Sequence, residues 1–259
     1  MVTLSDLRQH PHVSVSQLKM FVQCPRKYSY QYIERQMPEF RSIALAFGSA
    51  WHEAIDSYLV HGTDTNETTA VFRDALAREV RADDVPVLFD DDEDLGGCID
   101  QGARMLDTFI GRVPRPDLVL GVELAFSIEL VDPDTGEQLP APLIGAIDAL
   151  VVENDTPEIW ELKTGKRKWG ADQLEFDPQP TAYQMGARVF DIEAPELKLL
   201  LTSKGRKPDV QVERLVRNKK QEDELALLAA SVQRAIEAGV DHRLRGWQCK
   251  TCQYAGRCG

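Results

Sequence analysis

Three side chains within the run GAIDALVVENDTPEIWELKTG have the types and spacing for metal-assisted hydrolysis. Asp148 lies in one strand-like stretch, and Glu161 and Lys163 lie in the next, after a short turn. Glu161 and Lys163 are two residues apart in a strand, so both face the same side. Two carboxylates side by side repel each other and raise one pKa unless a cation sits between them. Mg2+ or Mn2+ accepts carboxylate, carbonyl and water oxygen, and the carbonyl of Leu162 would be a natural further ligand. Such an ion polarises a phosphodiester and acidifies a bound water. Lys163 would orient that water, help deprotonate it, or steady charge developing on phosphorus. A Glu-x-Lys tripeptide is short and built from common residues, so a solvent-facing strand pair is the competing explanation. The Asp on the preceding strand and the apolar Ile159 and Trp160 weigh against it.

The cysteines are the second feature with chemistry. Cys24 lies near the start, Cys98 in the middle, and Cys249, Cys252 and Cys258 close together near the end. Clustered cysteines in a reducing compartment bind metal more often than they form disulfides. The spacing CxxC also serves zinc sites, so it does not by itself name the metal. Cys98 stands outside the pattern and reads as a small apolar core residue.

The elements that must position these groups can be read from apolar periodicity and turn residues. Ser14 is a candidate N-cap for a helix through VSQLKMFVQCPRKYSYQYI, with Leu18, Phe21 and Val22 on one face and a break near Pro25. Further helices are expected over 47–60, 67–80 and 98–110. After Pro114 the texture changes to strands over 118–130, 143–152 and 158–164, separated by turns at 132–136 and 154–157, which suggests an antiparallel meander. A helix over 180–190, strands over 197–202 and 210–216, and an amphipathic helix over 221–238 ending at Gly239 follow. The expected fold class is α/β, a mixed central sheet flanked by helices, with an added N-terminal helical region and a Cys-rich tail. The 259 residues are expected to form a single domain with a helical region over 13–112, a core over 113–218, and a C-terminal helix and tail over 219–259.

Composition is ordinary for a globular protein, at 43% hydrophobic and 28% charged. No stretch reaches the roughly 20 apolar residues that span a bilayer, and the first residues show no signal-peptide pattern, so a cytoplasmic location is expected. The net charge of −12 argues against a protein that simply coats nucleic acid with cations. Part of the excess is local: Asp83, Asp84, Asp90, Asp91, Asp92, Glu93 and Asp94 read as a solvated acidic loop. Basic residues gather instead at Lys163, Lys166, Arg167 and Lys168. No GxxxxGK[ST] phosphate loop occurs, so a helicase motor is not expected in this chain.

Taken together, His52 in FGSAWHEAI, Asp148 in GAID, Glu161 and Lys163 in ELKTG, and Gln179 and Tyr183 in QPTAY resemble the RecB-like branch of the PD-(D/E)XK nuclease superfamily. The resemblance runs from Val13 to Cys258. It implies that His52, Asp148 and Glu161 bind Mg2+ or Mn2+, that Lys163 is catalytic, and that Gln179 and Tyr183 line a DNA channel. Glu123 in GVELAF resembles an acidic residue of the first core strand and would support the metal site or form a structural salt bridge. Alone, His52 would read as a surface or core histidine, and Gln179 and Tyr183 as packing residues. One cysteine before the core and three after it, Cys24 with Cys249, Cys252 and Cys258, resemble the iron–sulfur subset of this branch, including AddB-type nucleases and CRISPR-associated RecB-like exonucleases. That likeness implies a structural 4Fe-4S cluster, with zinc or no metal as alternatives. The implied activity is a DNA exonuclease acting on single-stranded ends in repair or CRISPR spacer acquisition, beside an integrase or helicase. The rivals are a DNA-end-binding assembly subunit and a cluster-bearing redox sensor.

Overall fold

The computed structural model describes residues 2–81, 85–90, 93–193 and 195–258. Asp83, Asp84, Asp91 and Asp92 of the acidic run therefore lie outside the described residues.

A short helix α1 (Leu4–Leu7) precedes α2 (Val15–Gln23). Ser14 caps α2 as expected: its side chain accepts the Gln17 N–H, and the Gln17 side chain accepts the Ser14 N–H. Just before this cap, Val13 bridges to Leu143, which pins the start of α2 to the sheet. Pro25 opens α3 (Pro25–Tyr28), where a missing N–H costs nothing. A π-helical turn, Ser29–Ile33, follows. Leu18 and Phe21 are buried, but Val22 is 57% exposed, contrary to expectation. By spacing Val22 shares the face of Val15 and Leu18, but it sits in the last turn of α2, where it lines a cavity with Lys19, Phe176 and Leu228.

Next come β1 (Arg41–Ser42), α4 (Ile43–His61), α5 (Thr65–Arg81), β2 (Val87–Leu88) and α6 (Leu95–Arg112); β1 and β2 pair in parallel. Asp94, expected in a solvated loop, caps α6 by accepting the Gly97 N–H at 2.7 Å.

The main sheet holds β3 (Leu118–Ile128), β4 (Leu143–Glu153), β5 (Thr156–Gly165), β6 (Glu196–Ser203) and β7 (Val210–Leu215) in that spatial order. The expected meander β3–β4–β5 is antiparallel. The β5–β6 pair is parallel, so the chain must cross between them. It does so through α7 (Ala171–Phe176) and α8 (Pro178–Ala187). The chain continues after β7 with α9 (Lys219–Glu237), a 3-10 turn Trp247–Thr251 and α10 (Ala255–Cys258).

The sheet is α/β and mixed, covered on both faces. Leu150, Ile159, Leu199 and Leu201 pack toward α2, α8 and α9. Ala149, Val151, Trp160, Leu162 and Leu200 pack toward α4, α5 and α6. Burial of both faces explains why these strands read as continuous apolar runs rather than clean alternations. Cys98 is buried in the second of these cores, as expected. Among the described residues, no helix is long and apolar enough to cross a membrane.

Candidate active site

The site forms where β4 and β5 part. Their ladder ends at Ala149 and Trp160. Beyond that pair, the Leu162 N–H donates to Oδ2 of Asp148 at 2.7 Å instead of to a facing strand. A buried N–H must find a partner, and here a carboxylate supplies it. Asp148 and Glu161 are thereby fixed at the fork, 4% and 2% exposed.

On the other side, β3 brings Glu123 to Asp148. The register pairs Val122 with Ala149 and Leu124 with Ile147, so Glu123 lies opposite Asp148. Glu123 holds a φ of 48°, in the left-handed region. A non-glycine residue there costs on the order of 1–3 kcal/mol, which the surrounding sheet offsets. Helix α4 supplies His52, whose neighbours Trp51 and Ile55 anchor the helix in the core. His52 Nδ1 lies 3.2 Å from Glu123 Oε1 and 3.9 Å from Asp148 Oδ1. Ligand atoms of His52, Glu123 and Asp148 all fall within 4.8 Å of one another.

Helix α8 aims a chain of hydrogen bonds at the same carboxylate. Lys163 Nζ donates to Gln179 Oε1 at 3.4 Å, Gln179 Nε2 donates to the Tyr183 hydroxyl at 2.7 Å, and that hydroxyl donates to Asp148 Oδ1 at 2.8 Å. Lys163 also forms an ion pair with Glu161. Tyr183 is 4% exposed, with its ring edge-on to Phe126. It therefore offers the site its hydroxyl, while its ring is packed in the core. The Phe126 ring in turn fits over two glycines: a Cβ added at Gly145 or Gly186 would lie 2.5 or 2.6 Å from it. The glycine of GAID thus makes room for the ring that holds Tyr183 against Asp148. Replacing Tyr183 by Phe removes the hydroxyl and keeps the packing; activity should fall about 10–100-fold, as for other groups that orient a metal ligand, with an unchanged melting curve as control.

Local charge tests whether these residues suit a cation. Both Glu161 oxygens are buried without a well-formed hydrogen bond among the described residues, Lys163 being only an ion-pair contact. Burial pushes the Glu161 carboxyl up to about 7, with Asp148 adding to the rise and Lys163 opposing it. Burial also pushes Asp56, one turn beyond His52 on α4, up to about 7, aided by Glu123. Burial opposes charging His52, yet Glu123 and Asp148 outweigh it and raise the imidazole. Lys163 is likewise raised against burial by Glu161 and Asp148. Every one of these groups is driven toward holding a proton, the mark of excess negative charge that a divalent ion would relieve.

The consequence for stability has a definite sign. Glu161 rises from 4.5 to about 7 on folding, so its contribution is present below 4.5 and lost as pH rises through 7. The metal-free protein should lose melting temperature between about pH 5 and pH 8, and Glu161→Gln should flatten that fall. Mn2+ should raise the melting temperature more at pH 8 than at pH 5.5. Equal Mn2+ shifts at both values would contradict the assignment.

A cavity of about 490 Å³ is lined by His52, Glu123, Asp148, Lys163, Gln179 and Tyr183; Glu161 and Asp56 are not among its lining residues. A second cavity, about 230 Å³, is lined by all four cysteines singled out in sequence: Cys24, Cys249, Cys252 and Cys258. Cys24 ends α2, and the tail docks beside it. Arg26 N–H donates to the His242 carbonyl, Glu39 N–H to that of Gln253, and the Tyr30 hydroxyl to that of Arg257.

The family model described as the PD-(D/E)XK nuclease superfamily matches residues 12–259. The chain belongs to that superfamily. Among solved structures, a "Putative exonuclease" from Eubacterium rectale is similar over 99% of this chain and 93% of its own, at 16% identity and a TM-score of 0.59. A protein named SSO0001 is similar over 98% of this chain and 91% of its own, at 14% identity and a TM-score of 0.47. No curated protein matches by sequence. The first likeness supports the nuclease fold. Beside the fork at Asp148 and Glu161, His52, Glu123 and Asp148 form a group that could hold a metal ion.

Sequence reading anticipated His52, Asp148, Glu161, Lys163, Gln179 and Tyr183 at one place. It missed Asp56, whose signal was its spacing of four from His52 on a helix. It also missed Phe126. Glu123, expected to support the metal site or form a salt bridge, lies nearer to His52 than Asp148 does.

Proposed function

We propose that the protein is a Mg2+- or Mn2+-dependent deoxyribonuclease that trims single-stranded DNA ends. The carrying observation is the convergence of His52, Glu123 and Asp148 within one ligand sphere, next to the Glu161–Lys163 pair. His52, Asp148 and Glu161, with the Leu162 carbonyl, would hold the ion, and Glu123 is placed to join them. A bound divalent ion supplies Lewis acidity toward a phosphodiester and its attacking water. The protein's own part is positioning. Tyr183 and the Leu162 N–H hold the two Asp148 oxygens in fixed directions. Lys163, charged and tethered by Glu161 and Gln179, stands ready to orient the nucleophile and offset charge on phosphorus.

Action on ends, and a role in DNA repair or CRISPR spacer acquisition, rest on the resemblance to RecB-like exonucleases. An integrase or helicase would supply the assembly or motor function. The four-cysteine cavity is assigned to a structural 4Fe-4S cluster. Four thiolates meet the ligand count of such a cluster, and the fold brings these four cysteines around one cavity; zinc is the competing occupant.

The test is digestion of end-labelled single-stranded and duplex DNA by anaerobically purified protein, with Mn2+ or EDTA. Stepwise loss of label from single strands, abolished by EDTA, is expected. Cleavage that persists in EDTA would overturn the reading, and internal cuts would overturn its exonuclease part.

A further inference from the structure

We propose that the surface of the cysteine-bearing tail is a binding platform for single-stranded nucleic acid, with Trp247 as its stacking residue; this rests on the nuclease reading above. Residues 241–258 carry Arg243, Arg245, Lys250 and Arg257 against one acid, Asp241, in a chain of net charge −12. Arg243, Lys250 and Arg257 are exposed. Trp247 is 77% exposed, while Trp51 and Trp160 are buried. An indole left in water among cations offers a π-face to any base and cationic groups to the backbone, the combination that binds single strands without sequence preference.

Lys27 and Arg243 line the cysteine cavity and could serve only to offset thiolate charge. Trp247 carries no charge and has no such task, so its exposure is left for a ligand to use. The distance from the catalytic cavity to the cysteine cavity also fits. The N-terminal turn of α2, at Ser14 to Ser16, lines the catalytic cavity, and Cys24 at its other end lines the cysteine cavity. Ten residues of helix span about 15 Å, or about four nucleotides stacked at 3.4 Å. A strand whose end lies at Asp148 would therefore reach the tail within a few nucleotides. A protein partner is the competing occupant of this surface, but the local positive charge within an acidic chain favours a polyanion.

The experiment uses full-length protein in the Asp148→Asn background, so that binding is read without cleavage. An oligothymidine of about 20 nucleotides exceeds the usual single-module footprint. Its binding should quench tryptophan emission, and Trp247→Phe should remove the quench while keeping affinity within about threefold. By anisotropy of the labelled strand, Trp247→Ala should weaken binding about 10–100-fold. The double change Arg243→Gln and Lys250→Gln should reduce the slope of log affinity against log salt by about 1.4. Unchanged affinity in Trp247→Ala, or an unchanged salt slope in the double variant, would overturn the platform. The two proposals fail separately. A wild-type chain that cleaves, with no quench in the Asp148→Asn parent, loses the platform alone. A chain that quenches yet never cleaves with Mn2+ loses the nuclease reading alone.

Discussion

Asp148→Asn should lower cleavage by about 1000-fold with little change in fold. The change is nearly isosteric, so packing around residue 148 is kept. It removes the charge from the one side chain that is approached by His52, bonded by Tyr183 and bonded by the Leu162 N–H. A metal contributes several kcal/mol of charge stabilisation to a phosphoryl transition state, and each 1.36 kcal/mol is tenfold in rate. A drop of about three decades follows if the ion is lost or displaced. Glu161→Gln should fall comparably, since groups acting as one unit are not additive. Single-turnover digestion with Mn2+ reads the loss, and a melting curve in EDTA checks the fold. The metal-free Glu161→Gln protein should be no less stable than wild type at pH 8, because it removes a buried carboxylate whose charge is unfavourable there.

Cys24→Ser should have the second largest effect, this time on stability. The cavity joins Cys24 to Cys249, Cys252 and Cys258, so a cluster there ties residue 24 to residue 249. Closing a loop of that length is worth about 5 kcal/mol in chain entropy, with the cluster acting as the cross-link. For a chain of this size the melting temperature should fall by about 10–20 °C. Visible absorption from the cluster should be bleached in the same variant. The docked tail contacts, such as the Tyr30 hydroxyl on the Arg257 carbonyl, would then hold the ends without a covalent tie. A brown Cys24→Ser protein that melts with wild type would exclude the clasp.

What the sequence disclosed, and what it hid, divides along physical lines. The Glu161–Lys163 pair was legible because strand side chains alternate with a period of two, which holds wherever the strand lies. Ser14 was legible because capping is local. The meander was legible from its turns, expected at 132–136 and 154–157, although β5 already begins at Thr156. Glu123 was legible as a candidate, but its nearness to His52 was not, because that depends on register with β4 and on a positive φ that no local pattern announces. Tyr183 was placed beside Gln179 by spacing, whereas its hydroxyl bond to Asp148 and its packing against Phe126 depend on tertiary contacts that no local pattern announces. Val22 shares the buried face by spacing, and its exposure follows from the cavity beside the last turn of α2, which no local pattern announces. Helix α7, with no buried residues, leaves no apolar stripe to detect. The cysteine spacing pointed to a shared site, and the fold does bring the four residues around one cavity.

Manganese binding tests the central claim most directly. Calorimetric titration of chelator-treated wild-type protein at pH 8 should show saturable Mn2+ binding that disappears in Asp148→Asn and weakens in His52→Ala. Equal Mn2+ affinity in wild type and Asp148→Asn would place the ion elsewhere and contradict the account.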